Sequence, residues 1–294
     1  MDTANLKTFI AAAELASFSL AAEQLYLTQP AVSKRISALE SELGTRLFDR
    51  IGRRVSLTEA GRMLLPRARD ILAEIDDSRR QIANLSGEVG GRLSIGTSHH
   101  IGLHRLPPVL RQFTRRYPQV ELDLRFMDSE AACRAVQSGQ LELGIVTLPP
   151  APPAELDSEV VWPDPLQVVV GSEHPLAGER KPGLAQLAAH PAILPSHGTY
   201  TREILERALA RDGIRLRVGM TTNYLETIKM LVGVGLGWSV LPRTMLSDEL
   251  RTLDVAGIAL ARQLGVVRHR QRTLSNAARA MLGQLRAGRQ GDSP

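Results

Sequence analysis

The sequence predicts a mostly α-helical N-terminal module, one long helix after it, and an α/β second half built as two lobes. Three observations carry this prediction. Apolar residues recur at helical spacing through the opening segment, a four-three apolar repeat runs without strand or turn signals from Thr58 to about Leu85, and strand-like and helix-like runs alternate from there onward.

Leu6, Phe9, Ile10 and Ala13 form one apolar stripe, which predicts a first helix over about 3–15. The segment from Ser17 to Ser19 breaks it, and Ser19 is the expected N-cap of a second helix carrying Ala22 and Leu25. Thr28 caps a third, in whose first turn Pro30 needs no amide partner. Val32, Ile36 and Leu39 of this third helix must face inward, leaving Gln29, Pro30, Ser33, Lys34 and Ser37 outside. Two strand-like runs then flank an Ile51-Gly52-Arg53 turn, bringing Arg50, Arg53 and Arg54 together as a wing. From Gln29 to Arg54 there are six basic and three acidic residues, whereas residues 1–60 carry seven of each. The placement of charge, rather than its total, therefore marks a winged helix-turn-helix whose third helix suits a DNA major groove. A merely solvated face would show similar exposed Lys and Arg.

Leu64, Ala68, Ile71, Ile75, Ile82 and Leu85 lie on the four-three seam, the pattern by which helices of two chains pair. The seam residues are expected to dimerise the protein, although a helix docked on its own domain would look alike. Pro66 sits inside this helix and removes one hydrogen bond near Arg62. The glycine-rich segment 86–91 ends it.

Beyond it, strands over 92–97, 120–126 and 141–147 alternate with helices over 102–116 and 130–138, predicting a mostly parallel sheet. A proline-rich stretch at 149–153 marks a crossover, and alternation resumes at Leu166 with strands near 166–170, 192–194, 215–221 and 237–241 and helices between them. A strand at 264–267 and a helix over 273–285 close the chain. The domains are therefore expected at 1–58, 59–89 and 90–294, the last with one lobe over about 90–162 and 263–294 and another over about 163–262.

Hydrophobic residues make up 43% and charged residues 23% of the 294 positions, which is the composition of a protein with real cores. The net charge of +5 leans weakly towards an anionic partner. Cys133 is the only cysteine, so an intramolecular disulfide and a cysteine-rich zinc site are excluded. The first residues show no export signal, and the apolar run 228–241 is too short and too interrupted to span a membrane, so a cytoplasmic location is expected. There is no nucleophile elbow, Walker loop or dinucleotide fingerprint, and Gly233, Gly235 and Gly237 follow a helix rather than a first strand. An enzyme is not expected. An exported solute-binding protein would suit the second half alone, but not a chain that also carries a DNA reader.

The run from Ala21 to Ser33, with Ile36, Leu39-Glu40, Leu43-Gly44, Leu47-Phe48, Arg50, Arg53 and 57–61, resembles the N-terminal signature of LysR-type transcriptional regulators. Tyr117-Pro118, Gly139 with 141–145, His174-Pro175-Leu176 and 233–237 with Leu241-Pro242 extend the resemblance over the rest of the chain. It implies DNA-contacting roles for Gln29, Pro30, Ser33, Lys34, Arg35, Arg50, Arg53 and Arg54, and an effector domain similar to a periplasmic binding protein. It also implies a homodimer or homotetramer on a promoter or operator, with RNA polymerase as a further candidate partner.

Strand ends and helix starts gather free amides and hydroxyls that suit a small anion. On this ground the effector contacts are expected at Thr97, Ser98, His99, Asp128, Thr147, His197, Thr199 and Thr222, with Ser98, Thr147 and Thr199 foremost. The run 95–99 followed by Leu106-Pro107 most resembles family members that sense small anions. Helix capping alone would also place Ser and Thr there. His100 and His104 have a spacing that can hold a metal, but no acid or thiol lies near them in sequence, so neither a metal site nor a cofactor is expected.

Overall fold

The computed structural model describes the chain except residues 52, 53, 180, 211, 212, 215, 257, 258 and 290–294, and the side chains of residues 50, 51, 54 and 289. It divides into two compact units, one essentially Met1–Ser86 and the other essentially Gly87–Pro294.

In the first unit, α1 (Thr3–Leu15), α2 (Phe18–Gln24) and α3 (Gln29–Leu43) are followed by an antiparallel hairpin, β1 (Phe48–Ile51) and β2 (Arg54–Leu57), and by α4 (Glu59–Asn84). Each helix start is chosen by a side chain. Asp2, Ser17, Thr28 and Thr58 each accept a hydrogen bond from the first-turn amide two or three residues on. The cap of α2 is thus Ser17 rather than Ser19, because Phe18 belongs inside the helix and is buried in the core. Phe9 and Phe18 both meet Phe48, at 5.5 and 5.2 Å between ring centroids, so the wing's first strand is anchored to the helices by aromatic contact. Glu40 ties α3 to the same strand by accepting from the Leu47 and Phe48 amides.

The long helix departs from the expected seam. Ala68 is fully buried in the core of its own domain, and Leu64 and Ile71 pack against that core. Ala68 is therefore corrected from a dimerising to a domain-forming residue, while Leu64 and Ile71 keep part of their surface: the first half of α4 lies on the winged domain because its small and apolar side chains fill the space beside α1. Ile75 is half-buried, and Ile82 and Leu85, at 70% and 85% exposure, are the most open of the seam residues.

The second unit opens with β3 (Gly91–Thr97), α5 (His99–His104), α6 (Leu106–Arg116), β4 (Val120–Phe126), α7 (Ser129–Gln137) and β5 (Leu143–Thr147). β4 and β5 both lie parallel to β3. Next come β6 (Leu156–Gly171), α8 (Leu184–Ala189), β7 (Ala192–Leu194), α9 (Tyr200–Ala210), β8 (Val218–Thr221), α10 (Leu225–Gly233), β9 (Ser239–Pro242), β10 (Leu250–Leu253), β11 (Leu260–His269) and α11 (Asn276–Arg289). The large sheet runs β10-β6-β11-β5-β3-β4 with β9 also on β6.

The sheet is mixed rather than mostly parallel. β6 and β11 are long antiparallel partners that serve both lobes: Val161, Trp162 and Leu264 belong to one core and Leu166 and Leu260 to the other, so the chain changes lobe within these two strands. Pro163 and Pro165 hid β6 from the sequence reading. They lie two apart, so their missing amides face one edge, and over 156–165 the only strand beside β6 is β11. The register shifts between Leu264 and Gly265, an irregularity of the bulge kind that bends a strand pair and increases its local twist, and a Cβ on Gly265 would lie 2.1 Å from the Glu159 carbonyl oxygen. One core joins β3, β5 and β11 to α6 and α11 through Ile95, Phe113, Ile145, Val266 and Met281, and a second fills the other lobe around Trp238. Among the described residues no helix is long and apolar enough to cross a membrane.

Gly61 sits where α4 leaves the wing, and an added Cβ there would lie 2.2 Å from the Leu47 carbonyl oxygen. Gly61→Ala is expected to destabilise the winged domain by about 1–3 kcal/mol, read as a lower denaturant midpoint. An unchanged midpoint would show that this contact does not constrain the wing.

Candidate functional site

Two surfaces gather the predicted residues. On the first unit, Val32, Ile36 and Leu39 of α3 are wholly buried, so the opposite side of the helix is presented outward. Gln29, Pro30, Lys34 and Ser37 are exposed there and Ser33 is half-buried. Arg35 is placed differently: it is half-buried, and its Nη1 donates to the Thr8 hydroxyl at 3.4 Å, bracing α3 against α1. Arg50 and Arg54 belong to the wing strands, where Arg50 pairs with Val55 and Ile51 with Arg54. Their side chains, and Arg53 altogether, lie outside the described residues.

Tyr26 was not singled out from the sequence. It stands in the turn between α2 and α3, 96% exposed, with φ at +53°, a conformation bulky residues rarely adopt. The turn is held by the Leu27 amide donating to the Ala22 carbonyl at 2.8 Å. The ring therefore stands beside the start of α3. A left-handed tyrosine leaves no periodicity signal, which is why sequence reading passed over it.

On the second unit, strand ends and helix starts of both lobes converge on one cleft of about 60 Å³. Ser98, His99, Asp128 and Thr147 line it from one lobe and Thr199 from the other, all five being predicted positions. The Ser98 hydroxyl caps no helix amide although Ser98 precedes α5. Thr147 is buried, and its amide donates to Ser129 Oγ at 3.0 Å. Polar contacts cross the cleft between lobes: Asn223 Nδ2 donates to Asp128 Oδ2 at 2.8 Å, and the Tyr200 amide to Glu130 Oε1 at 2.5 Å. Burial raises the Glu130 carboxyl above its ordinary value despite that bond. His99 packs edge-on against Tyr224 and near Phe126, at 4.9 and 5.3 Å between centroids.

Three predicted contacts fall elsewhere. Thr97 is fully buried and its hydroxyl donates to the Ile145 carbonyl at 2.8 Å, joining β3 to β5, so it has no face on the cleft. His197 is exposed in a separate groove with Arg202 and Glu206, beside the apolar wall of Leu209 and Ile214. The Thr222 hydroxyl accepts from the Tyr224 amide at 3.4 Å and turns the chain into α10 instead of lining the cleft.

Sequence reasoning missed the cleft's charge. Arg262 of β11 is 5% exposed; its Nε donates to Asp164 Oδ2 at 2.6 Å and its Nη1 to Thr201 Oγ1 at 2.9 Å, while Nη2 is buried without an acceptor among the described residues. His100 also lines the cleft, and both its ring nitrogens are buried without partners. Burial, helped by the positive neighbours Arg262 and His104, pushes the His100 imidazole down to about 3, so it is neutral at physiological pH. An arginine inside an apolar strand gives no local signal, since its partner Asp164 is 98 residues away.

Two family models cover most of the chain: "Bacterial regulatory helix-turn-helix protein, lysR family" matches residues 3–62, and "LysR substrate binding domain" matches 86–290. The RuBisCO operon transcriptional regulator of Allochromatium vinosum is 34% identical over 280 residues, covering 94% of this chain and 92% of that protein. Full-length CbnR, solved in complex with its target DNA, shares the fold at a TM-score of 0.64 and 21% identity, over 98% of this chain and 100% of CbnR. The regulatory domain of CcmR from Synechocystis PCC6803, solved in complex with 2-PG, aligns at a TM-score of 0.62 and 26% identity over 69% of this chain and 99% of that domain. The winged helical unit and the two-lobed receptor unit together make this chain a member of the LysR family of DNA-binding transcriptional regulators, and not an enzyme.

Proposed function

We propose that the chain regulates transcription in the cytoplasm by reading an operator with α3 and the wing while the two-lobed cleft holds a small anionic metabolite. Gln29, Ser33 and Lys34 are the residues set to meet base edges and phosphates, with Tyr26 at their side and Arg50, Arg53 and Arg54 on the flanking backbone. Lys34→Ala is expected to weaken binding to all sequences alike and to reduce the salt slope of operator affinity by about one. Unchanged affinity and slope in a gel-shift titration would remove Lys34 from the contact set.

The observation that carries the effector reading is the meeting around one small cleft of the Ser98 hydroxyl, which caps no helix amide, Thr147, and Arg262, whose buried Nη2 has no acceptor among the described residues; the Thr199 hydroxyl at its rim donates to the Ser196 carbonyl at 2.9 Å. Its volume of about 60 Å³ equals roughly two waters, far below the roughly 300 Å³ at which drug-sized pockets begin. A carboxylate, sulfate or phosphate group fits that space and those donors, and the 2-PG complex of the CcmR regulatory domain supports a small ligand in this kind of domain. A ligand that binds one arrangement of the lobes ten times better than another shifts the balance by about 1.4 kcal/mol. Thermal shift of the full chain against sulfate, phosphate and small carboxylates is expected to find a stabilising anion, whose affinity Ser98→Ala lowers about tenfold with the ligand-free melting point kept. No response to any of them, or full response in the variant, would overturn the anion reading.

Self-association fits the exposed Ile82 and Leu85 on the last turns of α4, an apolar edge that a second copy would cover. Ile82→Asp with Leu85→Asp is expected to shift the protein towards monomer in analytical ultracentrifugation and to weaken binding to a palindromic operator. An unaltered oligomer would place the pairing surface elsewhere.

A further inference from the structure

One side-chain cluster is absorbed neither by the DNA-reading face nor by the anion cleft. His100 and His104 stand one turn apart on α5, with ring centroids 4.9 Å apart. Glu226, in the first turn of α10, brings Oε1 to 2.8 Å from His104 Nε2 although 122 residues separate the two in sequence. One ligating atom from each of the three lies within 4.8 Å of the others. His100 is only 4% exposed, and neither of its ring nitrogens has a hydrogen-bond partner among the described residues. Buried imidazoles almost always bond something, so an orphaned one beside a second histidine and a carboxylate points to a missing electron-pair acceptor.

We propose that His100, His104 and Glu226 bind one divalent late first-row transition ion, for which Zn²⁺ is the best-suited, and that the ion links the two lobes of the receptor unit. Two imidazoles and a carboxylate form a ligand set that zinc accepts, with a fourth position left for an oxygen of water or of an effector. Imidazole also favours the later ions of the series over Mg²⁺ or Ca²⁺, which seek oxygen. Bonds of about 2.0–2.1 Å in tetrahedral geometry set ligand atoms roughly 3.3 Å apart. The present separations, from 2.8 Å to no more than 4.8 Å, bracket that value, so side-chain rotation is enough to close the site. Arg262 and Arg105 are the nearby positive charges; Asp164 lies 2.6 Å from Arg262 and 4.0 Å from Arg105, and Glu226 brings the negative charge of the site itself.

The sequence argument against a metal rested on the lack of an acid near the histidines, and the fold supplies that acid from the other lobe. α5 follows β3 in the first lobe, whereas α10 packs on β7 and β9 in the second. An ion bound to both favours the arrangement of lobes in which the three ligands meet. His100 is the only residue this site shares with the anion cleft, so the metal site stands or falls separately from the anion reading.

The test uses the tag-free full-length protein, stripped with chelator and titrated with Zn²⁺ against a metallochromic competitor. One Zn²⁺ per chain is expected at micromolar affinity or tighter. The His104→Gln/Glu226→Gln variant is expected to lose about tenfold or more in Zn²⁺ affinity while its operator affinity without metal is kept. Less than half an equivalent bound by the wild type, or wild-type affinity in the double variant, would overturn the proposal. Co²⁺ loading of the wild type gives a reading independent of variant folding: intense visible bands of a four- or five-coordinate nitrogen and oxygen site are expected, and a weak spectrum like that of the hydrated ion would refute it.

Discussion

The receptor unit depends on the antiparallel pair β6 and β11, which carries the buried ion pair of Asp164 and Arg262 where the chain serves both lobes. Neither charge is tolerable alone in that interior, since removing one partner of a buried pair costs roughly 3–5 kcal/mol. Together they fix one strand against the other, and the Nη1 bond to Thr201 extends the grip to the start of α9 in the second lobe. One guanidinium nitrogen, Nη2, is left without an acceptor among the described residues, on a side chain that lines the cleft. One interaction thus joins the lobes, positions a helix start and polarises the space between them.

The same economy marks the winged unit. Phe48 is held by Phe9 and Phe18, Glu40 accepts the amides of Leu47 and Phe48, and Gly61 lets α4 approach the Leu47 carbonyl. The wing is therefore located by the hydrophobic core behind α3, the core that also holds the helix's polar side outward. A change in that core would move both DNA-contacting elements together.

Histidines illustrate how environment, not residue type, sets a role. His99 stacks among aromatic rings at the cleft, His197 stands exposed beside Arg202 and Glu206, and His174 packs against His190 at 4.7 Å, where burial lowers its pKa. His100 alone among them is buried with both nitrogens free, and its neighbour one turn along α5 is bonded to an acid of the opposite lobe.

Local patterns were enough for much of this protein. The cap at Thr28, the inward row of Val32, Ile36 and Leu39, the wing hairpin and most alternating elements of the second half are legible because each depends on residues a few places apart. The hydroxyl-bearing strand ends at Ser98, Thr147 and Thr199 were legible for the same reason. What required the folded chain is every pairing over long separation: the docking of Leu64, Ala68 and Ile71 on their own domain, the strand through Pro163 and Pro165, the inward use of Thr97, the bond of Arg35 to Thr8, and the arrival of Arg262 and Glu226 beside α5. Periodicity tells which side of an element is apolar, but not which neighbour covers it. That choice is made only when elements from distant parts of the sequence compete for the same surface, and in this chain that competition decides both which face of α4 stays exposed and the chemistry of the cleft.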